Sequence, residues 1–163
     1  MSLASTPRTW VIGELVTAAV MNTEVRDALT GIQAAWDSAS WVPAAGWTAA
    51  TTNPAIGNGT SAGYFTRVGK TVNFAGRIVP GSTTTFGAGA YSFTLPATPV
   101  GVVMTIGTAT LFTGAAIYHG AALYHSGGMD LYFHGAASKM SPTVPVTFAN
   151  GHTLYFQGSY QAA

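Results

Sequence analysis

The sequence predicts a mainly β protein, in which an antiparallel β-sandwich or jelly-roll-like domain follows one N-terminal helix. Two observations support this prediction. Apolar residues recur at helical spacing before residue 45, and Gly, Pro, Ser and Asn clusters separate short β-branched and aromatic stretches from Tyr64 onward. The length of 163 residues suits one domain with an appendage.

Thr17 is a suitable N-cap for a helix over about residues 18–37. One face of this helix carries an apolar stripe with spacings of three and four: Met21, Val25, Ala28, Leu29, Ile32 and Trp36. A lone helix of this length is marginal in water and needs a partner to pack on. We therefore interpret residues 1–45 as an N-terminal attachment segment and the stripe as its oligomerisation surface.

Residues 38–63 are predicted to be irregular, with 46–63 connecting the attachment segment to a β-domain at 64–163. The alternation of apolar and polar residues is clearest in Thr71–Val79 and around Leu154. Eight strands are expected: Tyr64–Val68, Thr71–Val79, Tyr91–Leu95, Val100–Phe112, Ala115–Tyr124, Met129–His134, Val144–Phe148 and Thr153–Tyr160.

Charge is scarce, at 7% of residues and a formal net charge of +1, and no charged residue lies between Arg77 and Asp130. Without a basic surface, nucleic acid is not expected as a partner. The absence of cysteine excludes disulfides and thiolate chemistry. The uncharged run at 99–117 is rich in Thr and Gly and has no flanking Lys or Arg, so we expect no membrane span.

The residues give little support to catalysis or metal binding. Asp130 is the single acid of residues 64–163, so one chain cannot supply a pair of carboxylates there. Ser126, His125 and Asp130 lack the strand–turn–helix context of a nucleophile motif, and Asp130 is instead expected to close the turn at 126–129. The histidines show no converging metal-ligand spacing. We expect no enzyme activity, no metal and no cofactor.

Aromatic residues offer one candidate binding surface. Tyr132 and His134, with Tyr118 and Tyr124, would form an uncharged face suited to stacking on sugar rings. The alternative is that these rings are core or subunit contacts, as strand aromatics usually are.

Three parts of the chain resemble small virion proteins of tailed phages, especially those that infect actinobacteria. The segments at 6–29 (TPRTW, GELVTAA, MN and VRDAL) match an opening that leads into a helix in many phage tail and fibre proteins. The segments at 64–72, 76–78 and 91–96 are similar to the β-domain of those proteins, and those at 148–154 and 158–163 are similar to their C-terminal ending.

The resemblance implies a structural protein located in the virion. It implies a homotrimer that docks to other virion proteins, of the tail or the capsid, through its N-terminal segment, with an outward β-domain that binds host-surface carbohydrate. Capsid decoration without a receptor role is the first alternative, and a polysaccharide-degrading spike is the second.

Overall fold

The computed structural model describes residues 9, 11–36, 39–101, 103–125 and 127–163, and the side chains of all of these except 33–36 and 103. The chain divides into two compact units, Met1–Asp37 and Ser38–Ala163. The first contains the helix and the second contains all the strands described below.

The N-terminal unit confirms the predicted helix and its N-cap. The helix consists of α1 (Ala18–Met21), a π-helical turn (Asn22–Arg26) and α2 (Asp27–Trp36). The Thr17 hydroxyl accepts a hydrogen bond from the Val20 amide at 3.3 Å. Asp37, the expected last residue, lies outside the described residues.

The β unit is one antiparallel nine-stranded sheet, which confirms a mainly β, antiparallel fold. Its strands are β1 (Ala39–Trp41), β2 (Trp47–Ala49), β3 (Thr60–Val68), β4 (Thr71–Val79), β5 (Tyr91–Phe93), β6 (Val103–Phe112), β7 (Ile117–His125), β8 (Gly128–Phe133) and β9 (Thr153–Gln161). Their order across the sheet is β1-β3-β4-β9-β6-β7-β8-β5-β2.

The two edges of the sheet belong to one short stretch of chain. Strand β1 pairs with β3 at one edge, and β2 pairs with β5 at the other. A 3-10 turn at Pro43–Gly46 joins them. The Ala44 amide donates to the Ser61 hydroxyl at 2.9 Å, and the Thr94 amide donates to the Gly46 carbonyl at 3.0 Å. The sheet therefore curls until residues 39–49 hold both edges.

This closing segment corrects the sequence-based boundaries. Residues 38–63 are not merely irregular, because β1 and β2 lie within them, and the division between units falls after Asp37 rather than at 45 and 63. Three-residue strands are too short to show a period-2 pattern. The strand expected at Val144–Phe148 is also wrong: Val144 forms an isolated bridge to Ser141, and Phe148 is a buried loop residue.

The inner face of the curled sheet carries the core. In β4, Val72, Phe74 and Ile78 are buried, as the alternation predicts, while Asn73, Ala75 and Arg77 are exposed. The same alternation holds in β9. Aromatic rings meet edge to face across the core, with 5.1 Å between the ring centroids of Trp47 and Tyr91.

Two buried tyrosines bind loops to this core. The Tyr91 hydroxyl donates to the Phe86 carbonyl at 2.7 Å. The Tyr160 hydroxyl donates to the Ala97 carbonyl at 2.8 Å and accepts from the Ala97 amide at 3.0 Å. Burial raises the pKa of both phenols; for Tyr160 the Ala97 hydrogen bond and the nearby Arg67 charge oppose that rise.

The raised pKa values predict a loss of stability in alkali. Above the ordinary tyrosine pKa of 10.0, the unfolded chain loses phenolic protons that the folded chain retains. The contribution of Tyr91 and Tyr160 is therefore complete below that pH and falls above it, by at most about 1.4 kcal/mol per pH unit for each group. Urea unfolding from pH 8 upward, at about one-unit steps, measures the decline.

The double variant Tyr91→Phe/Tyr160→Phe should show a shallower alkaline decline than the native chain. Tyr64→Phe, at an exposed position on β3, is the matched control and should keep the native slope. Equal slopes for the double variant and the native chain would contradict this account.

Candidate functional site

Strand β7 places the predicted residues Tyr118 and Tyr124 on the inner face of the sheet. Tyr118, Ala122 and Tyr124 point toward the core, and Tyr124 is only 7% exposed. The alternate residues of β7, including His119 and His125, are on the exposed side. The expectation that Tyr118 and Tyr124 share a face with Tyr132 is therefore wrong, because β7 pairs with β8 so that Ala121 is opposite Tyr132.

Tyr132 and His134 lie on the outer face of the sheet, as expected. Tyr132 is exposed on β8 between the buried Leu131 and Phe133. The His134 amide, just past the end of β8, donates to the His119 carbonyl of β7 at 2.8 Å. This half of the predicted surface is outward and uncharged, and it continues across the neighbouring strands.

Strand register extends the outer face across six strands. One row of directly paired residues starts at an exposed tyrosine on β3 and ends at one on β8: Tyr64, Ala75, Gln157, Thr108, Ala121 and Tyr132. The adjacent row contains Ala62, Arg77, Tyr155, Thr110 and His119. Apart from Arg77, both rows are uncharged.

Two adjoining depressions lie along β9 on this outer face, with volumes of about 330 Å³ and 370 Å³. Both are lined by Thr108 and Gln157. The first extends to Thr110 and Tyr155, and the second to Asn73 and Ser159. We call this continuous depression the β9 groove and define it by these six residues and Ala75.

Small residues lie beneath and beside the groove. Gly107 of β6 is directly opposite Gly158 of β9, and a Cβ on Gly107 would stand 2.0 Å from the Gln157 carbonyl oxygen. The register of β6 against β7 shifts between Thr105 and Gly107, which marks a bulge at the same place. Ala75 adds little bulk on β4. Because Gly158 is also opposite the buried Phe74, the glycine pair lies at inner-face positions and lets β6 and β9 approach closely beneath the groove, whereas Ala75 reduces the bulk of the outer face itself.

The polar atoms of the groove are available to a ligand. Among the residues that the structure describes, the side chains of Asn73, Thr108, Tyr155, Gln157 and Ser159 form no hydrogen bond. The Thr110 hydroxyl lies 3.5 Å from Nδ1 of His119. Tyr155 is 45% exposed, so a large part of its ring faces solvent.

Sequence reasoning missed Gln157 and Thr108 as candidate binding residues. The alternation of β9 had already assigned Tyr155 and Gln157 to the face opposite Leu154 and Phe156. What it could not provide was the pairing of β9 with β6, which brings Thr108 beside Gln157.

Asp130 has a structural partner. It is 2% exposed, and its carboxylate accepts a hydrogen bond from the Lys139 ammonium at 3.0 Å. Ser126 lies outside the described residues. Across the described ranges, no three His, Asp or Glu side chains are grouped so as to hold a metal ion.

The helix presents its apolar stripe to solvent. Met21, Val25, Leu29 and Ile32 are each between 38% and 60% exposed, and Ala28 is half-buried. The side chain of Trp36 lies outside the part of the chain whose side chains are described. This face is the second candidate interaction surface, and it belongs to the N-terminal unit alone.

No family model, no curated protein and no solved structure matches this chain. In the described part of the chain, none of the helices combines the length and the hydropathy needed to cross a membrane.

The Asp130–Lys139 pair predicts a stability effect. Lys139→Met leaves a buried carboxylate without its partner and should lower the free energy of unfolding by about 3 kcal/mol. The double variant Asp130→Asn/Lys139→Met should recover much of that loss, because the remaining amide is neutral. Urea unfolding measures all three chains.

Lys70→Met, at an exposed position between β3 and β4, is the control and should stay within about 0.5 kcal/mol of the native chain. An equal loss in the single and double variants would show that the ion pair itself is not the cause.

Proposed function

We propose that this chain is a non-enzymatic structural protein of a bacteriophage virion, assembled as a homotrimer through its N-terminal helix. The helix unit supplies the assembly contact, and the β unit supplies the surface displayed on the particle. Two observations support the proposal: the resemblance of residues 6–29 to the opening of phage tail and fibre proteins, and the exposed apolar face of the helix.

The apolar face of the helix supports assembly of several copies. An isolated helix of this length gains too little from its own hydrogen bonds to be stable in water, so most of its stability must come from packing. Its four large apolar side chains are nevertheless largely exposed in the single chain. A second and third copy would bury the same stripe on each helix, as closed symmetric assemblies do.

The spacing of the helix residues favours a coiled coil. Alternating steps of four and three give a heptad in which a and d positions are occupied, from residue 18 on, by Ala18, Asn22, Val25, Leu29, Ile32 and Trp36. Met21 and Ala28 fall at the g positions beside this seam and widen its apolar face. A continuous seam requires the π-helical turn at Asn22–Arg26 to become α-helical in the assembly.

The residues at the a and d positions favour a coiled coil of three helices over one of two. Leu29 at an a position followed by Ile32 at a d position shifts parallel coiled coils toward trimers and tetramers. Asn22 at an a position can hydrogen-bond to its copies, which aligns the helices at some cost in stability. Both features agree with the trimer that the phage resemblance implies.

The place of the trimer on the particle follows from the resemblance alone. A minor tail or tail-fibre protein is the first choice, because the N-terminal opening is shared with phage tail and fibre proteins. In that role the β unit would meet the host surface. Capsid decoration is the alternative, and in it the same β unit would serve no receptor function.

The helix face predicts a change in oligomeric state. Leu29→Lys/Ile32→Lys places charges in the seam and should convert the trimer, with three times the chain mass of 16.7 kDa, into a monomer. Light scattering on the purified full chain measures the mass. Both positions are exposed in the single chain, so the β unit should remain folded.

The matched control is Thr23→Lys/Thr30→Lys, which adds the same charge to the same helix at b positions away from the seam. This control should remain trimeric. A native chain that scatters as a 16.7 kDa monomer would overturn the assembly proposal.

The virion assignment predicts that an antibody against residues 64–163 labels intact particles of the phage that encodes this chain. Label at the tail tip supports adhesion, and label over the capsid shell supports decoration. Absence of the chain from purified particles, measured by mass spectrometry, would overturn the assignment. Release of sugar products from host polysaccharide by the purified trimer would overturn its non-enzymatic part.

A further inference from the structure

We propose that the β9 groove is a binding site for an extended, neutral oligosaccharide. This inference gives a chemical class of ligand to the displayed β unit and places its site on β9 and β6. It depends on the geometry of the β unit alone, so it can hold even if the helix does not form a trimer.

The dimensions of the groove suit several sugar rings in a row. Its two depressions, of about 330 Å³ and 370 Å³, are open to solvent and adjoin at Thr108 and Gln157. Tyr155 and Ser159 are four residues apart on one strand, a distance of about 13 Å. An elongated ligand lying along β9 would touch both ends.

The chemistry of the groove matches sugar hydroxyls. Each hydroxyl of a sugar both donates and accepts, and the groove offers amides at Asn73 and Gln157 and hydroxyls at Thr108 and Ser159, which also do both. These side chains have no partner among the described residues, so a ligand would not need to break internal hydrogen bonds. The exposed ring of Tyr155 supplies an apolar surface for the carbon face of a sugar ring.

The absence of charge in the groove selects a neutral ligand. None of the residues that line the two depressions is acidic or basic. Arg77 is opposite Tyr155 on β4 but does not line either depression. A polyanion such as a nucleic acid or an acidic polysaccharide would find no counter-charge along the groove itself. A fatty chain would leave the amides and hydroxyls without partners.

Calorimetric titration of the native full chain with defined sugars tests this inference. The probes are cellohexaose, maltohexaose, mannohexaose, xylohexaose and arabinohexaose, with hexagalacturonic acid as the charged comparison. We expect saturable binding of at least one neutral hexasaccharide with Kd on the order of 1 mM or tighter. Hexagalacturonic acid should bind no more tightly than that neutral sugar.

Two groove variants locate the site. Tyr155→Ala removes the stacking surface and Gln157→Lys places a charge in the middle of the groove, and each should weaken binding at least about tenfold. Both side chains are exposed, so the fold should survive, as circular dichroism can verify. Tyr64→Ala is the matched control, because Tyr64 is a 62% exposed tyrosine on the same face but outside the groove.

Three results would overturn the inference: no neutral hexasaccharide binding at about 10 mM, exclusive binding of the acidic sugar, or native affinity in both groove variants. The monomeric Leu29→Lys/Ile32→Lys chain separates this inference from the assembly proposal. If this variant is monomeric and each chain still binds sugar at one site, the groove is confirmed independently of the assembly proposal. A native trimer that binds none of the neutral sugars leaves the assembly proposal intact and rejects the groove.

Discussion

The structure of the β unit depends on one constraint, which is that residues 39–49 hold both edges of the sheet. An open antiparallel sheet exposes unpaired amides and carbonyls along its edges. Here β1 covers β3 and β2 covers β5, while the turn at Pro43–Gly46 joins the two. Trp41 and Trp47, one on each side of that turn, pack their rings onto Phe156 and Phe148 of the core. The curled sheet thus has an inside and an outside from a single closing segment.

Closure divides the residues of each strand between two different environments. Inside, large aromatic rings need space, and glycines provide it: a Cβ on Gly76 would stand 2.4 Å from the Phe156 ring. Outside, Thr, Ala, Gln and Ser dominate the middle strands, and Ala75 leaves space beside Gln157. Glycines therefore make room for the core on one face, while polar side chains and Ala75 line the β9 groove on the other.

The scarcity of charge can be understood from this division between the inner and outer faces. The buried acid, Asp130, is held by Lys139 in a structural ion pair rather than at the groove. What the outer face offers is hydrogen-bonding capacity and exposed tyrosine rings, which suit recognition of neutral ligands. The helix, in turn, exposes an apolar face. The proposed functions of assembly and display would therefore use separate parts of one chain.

The sequence by itself determined the local features: the helix after Thr17, the bounds of β4, and the alternation that separates inner from outer residues in β4 and β9. The hydrophobic periodicity of a strand reflects which of its own residues are buried. These predictions therefore did not require knowledge of the neighbouring strands. Only the tertiary structure decided which strands meet. Thr108 reaches Gln157 because β6 pairs with β9, and Tyr132 is separated from Tyr118 and Tyr124 by the register of β7 against β8. Such pairings join distant residues, and three-residue strands such as β1 and β2 form only where the rest of the sheet offers them an edge.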